Sequence, residues 1–188
     1  MAKHADVHVL RASHTDAKAT LDVLRASWLV TYPNKKHNIT VEDIEARFHA
    51  RMTPAALAKR AMEIREMPSE KTLLTANIRH SDRSRTVVGV CSVTRGDEFN
   101  ELRTLYVHPE HVGCGIGYAL FEASKQFLRC DRDTYVQVAV YNKKAMRFYL
   151  RQGFVYCEIP NEKSGIDLQG GKRIPTMKLV LWAKAASK

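Results

Sequence analysis

The sequence has no apolar run that could cross a membrane and no cysteine pair spaced for metal binding. A membrane span needs about 18–20 consecutive apolar residues, and no stretch of this 188-residue chain approaches that length. The first residues, MAKHADVHVL, lack the charged, apolar and small-residue regions of a secretory signal. None of the four cysteines belongs to a C-x-x-C pair, which excludes zinc-ribbon and dithiol redox motifs. We therefore expect a cytoplasmic protein with reduced thiols and no membrane partner.

Glycine and proline are scarce, and acidic residues are outnumbered by basic ones. Nine glycines and six prolines exclude a low-complexity or fibrous chain. We expect residues 1–188 to form a single domain, large enough to need neither a disulfide nor a metal for its core. The 30 Lys and Arg residues against 20 Asp and Glu give a net charge of +10. This excess predicts an anionic partner, either nucleic acid or an anionic small molecule.

Helical and strand patterns follow one another in an order that predicts a mixed α/β fold. In the first third, apolar residues at Ala17, Leu21, Leu24 and Trp28 step by four, three and four, which predicts one buried helix face. Thr40 and Thr53-Pro54 are typical starts of two further helices, the second of which stops at Met67-Pro68. Helices are also predicted after Gly117 and from Asn142 to Gly153, and a glycine-rich loop at Asn161–Arg173. Strands are predicted at Val7–Leu10, Leu73–Ile78, Thr86–Thr94, Asn100–Val107, Thr134–Val140, Phe154–Ile159 and Met177–Trp182.

Three glycines, Gly113, Gly115 and Gly117, stand between a predicted strand and a predicted helix. Glycines let a backbone approach a ligand closely, and a helix start presents unpaired N–H groups with a positive dipole. Together they predict a site for phosphate or pyrophosphate. The Walker pattern is missing, because no Gly-Lys-Ser/Thr follows. The dinucleotide fingerprint fails as well, since Tyr118 takes the place of its third glycine.

At these residues the sequence resembles the GNAT superfamily of acetyl-CoA-dependent N-acetyltransferases. The stretch LYVHPEHVGCGIGYAL, residues 105–120, is similar to the family's phosphate-binding motif, (Arg/Gln)-x-x-Gly-x-(Gly/Ala). Downstream, VYNKKAMRFYLRQGF, residues 140–154, resembles the second signature, Asn-x-x-Ala-x-x-Phe-Tyr-x-x-x-Gly-Phe. The resemblance implies a central mixed, mostly antiparallel sheet of six to seven strands flanked by helices. It also implies direct transfer of the acetyl group of acetyl-CoA to a primary amine of a small molecule, such as a polyamine or amino acid, or of a peptide or protein.

The resemblance further implies which residues bind acetyl-CoA. Val112 stands where the family usually has Arg or Gln, so a side-chain donor is lost while the backbone N–H remains. Lys143, Lys144 or Arg147 can compensate near the phosphates, or can form a solvated helix face. Asn142 is expected both to contact the pantetheine arm and to cap its helix. The expected set is Tyr106, Val107, Val112, Gly113, Cys114, Gly115, Ile116, Gly117, Tyr118, Asn142 and Tyr149, with Cys114 modifiable but not catalytic.

Two catalytic residues follow from the same resemblance. Acetyl transfer needs a neutral amine, although a lysine-like amine has a pKa near 10.4, and it needs a proton for the departing thiolate. Glu101 matches the glutamate that is the general base in several GNAT branches. The alternatives are an exposed strand carboxylate or an ion pair with Arg103, with another group or water as the base. Tyr149 matches the tyrosine near the CoA sulfur and is the expected acid, with a core aromatic as the alternative.

The acceptor is expected to contact Trp28 and Tyr32, because the family builds this pocket from its first helices and the loop between the last strands. For Trp28, whose spacing matches that of Leu24 and Leu21, a place in the core is the alternative, and Tyr32 just before Pro33 is better placed to line a site. A polyamine pocket needs carboxylates, and a chain of charge +10 does not attract polycations at long range. An amino acid, a peptide N-terminus and a protein lysine therefore stay open as acceptors.

Metal and nucleic acid are the remaining alternatives. His108-Pro-Glu-His111 has two histidines, but Pro109 prevents a helix from aligning them and no third ligand is evident, so we expect no metal. The basic residues are spread along the chain without a nucleic-acid-binding motif. A basic nucleic-acid-binding domain and a weakly active acyl-CoA sensor of the same fold remain as rival functions. The expected partners are acetyl-CoA and an amine acceptor, and self-association into a homodimer is left open.

Overall fold

The computed structural model describes residues 7–158 and 165–183. Within them lie five α-helices: α1 (Ala17–Thr31), α2 (Val41–Arg51), α3 (Pro54–Arg65), α4 (Ile116–Lys125) and α5 (Lys143–Arg151). The strands are β1 (Val7–Arg11), β2 (Lys71–Arg79), β3 (Arg85–Arg95), β4 (Asn100–Val107), β5 (Thr134–Ala139), β6 (Val155–Glu158), β7 (Gly165–Asp167) and β8 (Arg173–Leu181).

The strands form one mixed sheet in the order β1-β2-β3-β4-β5-β8-β6, and β7 pairs with β8 beside this path. Every pairing is antiparallel except that of β4 with β5. The expected mixed, mostly antiparallel sheet is therefore confirmed. It has eight strands, not the six to seven expected, because Gly165–Asp167 pairs with β8 inside the segment predicted as a loop. The start of that predicted loop and Ile159 lie outside the described residues.

Local signals determine where the second and third helices begin. The Thr40 hydroxyl accepts a hydrogen bond from the Asp43 N–H, and the Asp43 carboxylate accepts one from the Thr40 N–H, which together form a capping box. Thr53 caps α3 through the Ala56 N–H, with Pro54 at the first helical position. Helix α3 ends at Arg65, slightly before the predicted stop at Met67-Pro68.

Helices cover both faces of the sheet. Leu73 packs with Val23 of α1 and Ile64 of α3, whereas its neighbour Leu74 packs with Leu120 of α4. Consecutive strand residues point to opposite faces, so α1 and α3 lie on one side and α4 on the other. No helix within the described ranges is both long and apolar enough to span a membrane.

Candidate functional site

Strands β4 and β5 separate soon after they begin. They pair only through Asn100–Leu102 and Thr134–Val136. On its other edge β4 stays paired with β3. Leu102 and Thr104 pair with consecutive residues of β3, so Arg103 between them is an extra residue without a partner in that strand. Such a bulge bends a strand and increases its twist. It lies where pairing with β5 ends, so the C-terminal half of β4 diverges from β5.

The divergence opens a cavity of about 760 Å³, a size typical of small-molecule sites. Its lining includes Leu105, Tyr106 and Val107 of β4, and 136–139 of β5. The structure brings most of the expected site residues to this one cavity: Tyr32, Tyr106, Val107, Val112, Gly113, Gly115, Gly117, Tyr118, Asn142 and Tyr149. Of the other loop residues, Cys114 is exposed and Ile116 is buried in the core below.

The glycine loop has the geometry of an anion site. Gly113 and Gly115 adopt φ of +92° and +77°, a region that other residues enter only with strain. Gly115 caps α4. The backbone N–H groups from Gly113 to Tyr118 have no acceptor among the described residues. These donors meet the positive end of the α4 dipole, an arrangement that favours phosphate.

The charge of the cavity is positive. Among the described residues, its lining has no carboxylate, and its basic side chains are Arg103, His111, Lys144, Arg147 and Arg151. Lys143, also named from the sequence, is not among the lining residues. Such a lining suits a ligand with several phosphates and opposes a polycation.

Asn142 begins α5 at the cavity wall. Its Oδ1 accepts a hydrogen bond from the Ala145 N–H at 3.0 Å, so the predicted cap is confirmed. The side-chain nitrogen has no partner among the described residues, which leaves it free to meet a ligand in the cavity.

Tyr149 lies at the inner wall and is only 6% exposed. Its ring packs edge-on against Phe148 and Phe154 at 5.2 and 5.4 Å. Burial raises the pKa of Tyr149 well above its ordinary value, so the hydroxyl stays protonated at neutral pH. No described residue donates a hydrogen bond to the Tyr149 hydroxyl or accepts one from it.

Two further tyrosines meet at the end of the cavity nearest α1. The hydroxyls of Tyr32 and Tyr106 form a short hydrogen bond, and burial raises the pKa of both. Tyr141 donates to the Tyr32 carbonyl at 2.9 Å, and burial raises its pKa to about 12. From the sequence we expected Tyr106 to contact acetyl-CoA, and we missed its pairing with Tyr32 and the contact from Tyr141.

Ser27 was also missed. Its hydroxyl donates to the Val107 carbonyl at 2.9 Å, which ties α1 to the diverging end of β4. The signal was its position, three residues after Leu24 on the buried face of α1, because a buried polar side chain needs a partner.

Glu101 and Trp28 do not line the cavity. The Glu101 carboxylate is 3.3 Å from Arg103 and is about one-third exposed, at 36%. Glu101 therefore forms the ion pair with Arg103 that the sequence offered as an alternative. Its role as base stays a prediction. Trp28 is buried against Tyr32, Phe48 and Tyr106, with ring centroids 4.7, 5.5 and 6.3 Å away.

The His108–His111 turn lies at the rim of this cavity. Potential ligand atoms of His108, Glu110 and His111 lie within 4.8 Å of one another, so Glu110 supplies the third group that was not evident from the sequence. Ligands of a tetrahedral zinc at about 2.0 Å would be about 3.3 Å apart. The turn would have to contract to hold that ion.

Comparisons with known proteins agree with this geometry. A sequence profile described as "Acetyltransferase (GNAT) family" matches residues 38–154. No curated protein matches the sequence. The chain is similar in structure to the PaiA N-acetyltransferase of Thermoplasma acidophilum in complex with coenzyme A, with a TM-score of 0.64, 21% identity and coverage of 92% of this chain and 99% of that one.

Two other solved structures share the fold. A GCN5-related N-acetyltransferase from Rhodopseudomonas palustris has a TM-score of 0.64 and 21% identity, over 93% of this chain and 94% of that one. The ribosomal-protein-S18-alanine N-acetyltransferase of Escherichia coli has a TM-score of 0.60 and 13% identity, over 97% of both chains. At these identities the likeness concerns the fold.

Proposed function

Because the chain belongs to the acetyltransferase (GNAT) family, an acetyl-CoA-dependent group, we propose that it acetylates a primary amine of a small molecule, peptide or protein. The observation that carries this proposal is the cleft between β4 and β5. Unpaired N–H groups of the glycine loop lie at the cleft, and a protonated tyrosine lines the same cavity.

The cavity fits acetyl-CoA by the chemistry of its donors. The N–H groups from Gly113 to Tyr118 would hold the diphosphate, with Lys144 and Arg147 nearby. Val112 is 60% exposed and adds no side-chain donor, so these backbone groups and basic side chains would supply the attraction. Asn142 and the free edge of β4 would orient the pantetheine arm.

Bound acetyl-CoA supplies an activated acyl group whose carbonyl carbon the amine attacks. Tyr149 is the proposed acid: it gives its proton to the departing sulfur and regains one from solvent. Its buried, apolar surroundings keep the proton on the oxygen until the sulfur becomes negative. The Phe148 and Phe154 rings hold the phenol ring in place.

The proton of the attacking amine needs an acceptor. Glu101 is the proposed base, and it would act through water, because its carboxylate lies outside the cavity lining. Arg103 contacts this carboxylate and also lines the cavity, so the Glu101 carboxylate lies next to a residue of the cavity wall. The alternative is direct loss of the proton to solvent. The pH–rate profile of a Glu101→Gln variant distinguishes the two.

Calorimetry with acetyl-CoA and CoA tests the binding step, and an amine-panel assay that follows release of free CoA tests the reaction. We expect micromolar binding, typical of enzyme substrates. The absence of binding would overturn the proposal. Salt-sensitive binding of DNA or RNA without CoA binding would instead favour a nucleic-acid-binding domain.

A further inference from the structure

The oxygen of the Tyr106 hydroxyl is held from two sides. Tyr32 forms a short hydrogen bond with it, and the indole N–H of Trp28 is its second partner. Burial raises the pKa of Tyr106, and the bond from Tyr32 offsets part of this rise, whereas the same bond adds to the rise in the pKa of Tyr32. This pattern is expected when Tyr32 is the donor. An indole N–H can only donate, so the Tyr106 oxygen accepts both bonds.

The hydrogen of the Tyr106 hydroxyl is left without an acceptor. A phenolic oxygen accepts up to two hydrogen bonds and donates one, and both acceptor positions of Tyr106 are taken. Within the described ranges, no residue accepts a hydrogen bond from it. A buried donor without an acceptor is rare and needs an explanation. An O–H of fixed orientation with nothing to donate to indicates a missing ligand atom.

Tyr106 presents its side chain, not its backbone, to the cavity. The N–H of His108 donates to the Val88 carbonyl in β3, and the backbone groups of residues two apart in a strand point to the same side. The N–H and C=O of Tyr106 therefore point to β3, where Val90 is its partner. The cavity lies on the β5 side of β4 and is nevertheless lined by Tyr106, so its ring and hydroxyl form that part of the wall.

The position of Tyr106 indicates which ligand reaches it. Its ring packs with Trp28 and Tyr32 on the α1 face of the sheet, whereas Tyr149 packs with Leu120 on the α4 face. The glycine loop adjoins α4, so a molecule that enters from the α1 face is the amine acceptor and not the phosphate end of CoA. Tyr106 is close enough to Tyr149 to add to the rise that burial causes in the pKa of Tyr149. The acceptor atom at Tyr106 would therefore lie near the reacting amine.

We propose that Tyr106 donates a hydrogen bond to an oxygen atom of the acceptor, so that the primary amine acetylated by this protein carries a hydroxyl, ether or amide oxygen within a few bonds of its nitrogen. This inference rests on the proposed acetyltransferase function. An ammonium or a methylene group cannot accept a hydrogen bond, so a linear polyamine would leave the Tyr106 donor unpaired.

Tyr32 and Trp28 are positioning residues in this arrangement, because their bonds fix the Tyr106 oxygen. Arg47 supports them: its Cζ lies 5.0 Å from the centroid of the Trp28 ring, and its charge acts on the Tyr106 hydroxyl. A nearby positive charge favours the anionic form of a phenol, which makes its O–H a stronger donor.

Matched amines that differ in one atom test this specificity. We compare kcat/KM for methoxyethylamine and butylamine, in which an ether oxygen replaces a methylene group, at equal concentrations of the neutral amine. Amino alcohols and amino amides extend the panel, each beside its hydrocarbon analogue. In at least one pair the member with oxygen should be preferred about 5-fold or more, as expected for one hydrogen bond.

Tyr106→Phe should remove this preference by raising KM for the member with oxygen. The variant keeps the ring, and a merely structural role would change both members of a pair equally. Tyr135→Phe is the matched control, because Tyr135 lies on β5 but is not among the residues that line the cavity. A preference that persists in Tyr106→Phe, or no preference in any pair, overturns the proposal.

Fluorescence of Trp28 tests the same contact without turnover. The chain has two tryptophans, and Trp182 is exposed, so a Trp182→Phe background leaves Trp28 as the reporter. With CoA present, we titrate the neutral acetylated product of each amine. The product with oxygen should give a saturable response at a concentration about 5-fold lower than its hydrocarbon analogue. Equal responses within every pair, or no response, overturn the proposal, whereas failure to bind acetyl-CoA overturns the proposed function instead.

Discussion

At the scale of the residue, Tyr149 is held by its ring and left free at its hydroxyl. Its burial disfavours the phenolate, so in the proposed reaction it would give its proton only when a stronger base formed beside it. Tyr32 and Tyr106 have raised pKa values as well, but their hydroxyls bind each other. Among these three, Tyr149 alone has an uncommitted hydroxyl within the described part of the chain.

Tyr149→Phe should therefore lower kcat about 100-fold, because general acid catalysis contributes about 10²–10⁴-fold. The ring packing is retained, so the affinity for CoA and the thermal midpoint should change little. Steady-state kinetics with an identified acceptor check this. Tyr156→Phe, on the exposed strand β6, is the control. A Tyr149→Phe variant with normal kcat would show that the sulfur takes its proton elsewhere.

Glu101→Gln should lower kcat/KM at neutral pH, and the loss should shrink as the pH rises. The reason is that more of the amine is already neutral at high pH and no longer needs a base. A pH–rate profile of the variant measures this, beside Glu98→Gln on the neighbouring exposed loop. If both profiles coincide with that of the unaltered protein, water accepts the proton.

At the scale of the element, the glycine loop and α4 act together. Gly89 of β3 makes this possible, since a Cβ there would lie 2.8 Å from the Leu120 side chain. Helix α4 consequently packs close to the sheet, and its first turn lies at the open end of β4. The position of the proposed anion site thus depends on a glycine outside the glycine loop.

Gly115→Ala should weaken CoA binding, whereas an equally destabilising substitution away from the cavity should not. Gly115 and Gly170 both have positive φ, +77° and +73°, and both have open space around an added Cβ. Alanine should cost each site about 1–2 kcal/mol of backbone strain. Gly170→Ala is therefore the matched control for denaturation and calorimetry. Only Gly115→Ala should change the CoA affinity; equal affinities in the two variants would separate the loop from the ligand.

Elements determined by local chemistry could be predicted from the sequence. The caps at Thr40, Thr53 and Asn142 are formed by neighbours three residues away. Strand β4 was predicted with its observed bounds, Asn100–Val107. Strand β7 was missed because three residues carry too little pattern to distinguish a strand from a loop.

The rest of the site depends on contacts between distant residues, which have no local pattern. The Tyr32–Tyr106 pair joins positions 74 residues apart, and Arg47 reaches Trp28 from another helix. The bulge at Arg103 arises because β4 has one residue more than β3 between two consecutive pairs. The glycines indicated where the phosphates would bind, whereas the cavity itself required the sheet.

At the scale of the whole molecule, the net charge of +10 has one measurable consequence. A positive field attracts an anionic ligand before contact, and salt screens this attraction over about 8 Å at physiological ionic strength. The association rate of CoA should fall as salt is added, while its dissociation rate changes less. Stopped-flow binding at several salt concentrations checks this. Dephosphorylated pantetheine should show a much smaller dependence, and equal dependences would contradict this explanation.

The short pairing between β4 and β5 also divides the molecule into two parts. Strands β1–β4 hold one another through their own hydrogen bonds, and β5–β8 do the same. In the part of the chain that the structure describes, three residue pairs between β4 and β5 join the two groups within the sheet. Asn100 reinforces the junction, since its side chain binds the backbone of Arg129 and Arg132. A chain cut in the exposed turn at Cys130–Asp131 should therefore yield two fragments, each with complete strands, that can reassemble. Acetyl-CoA would contact both fragments, so its presence should favour their association.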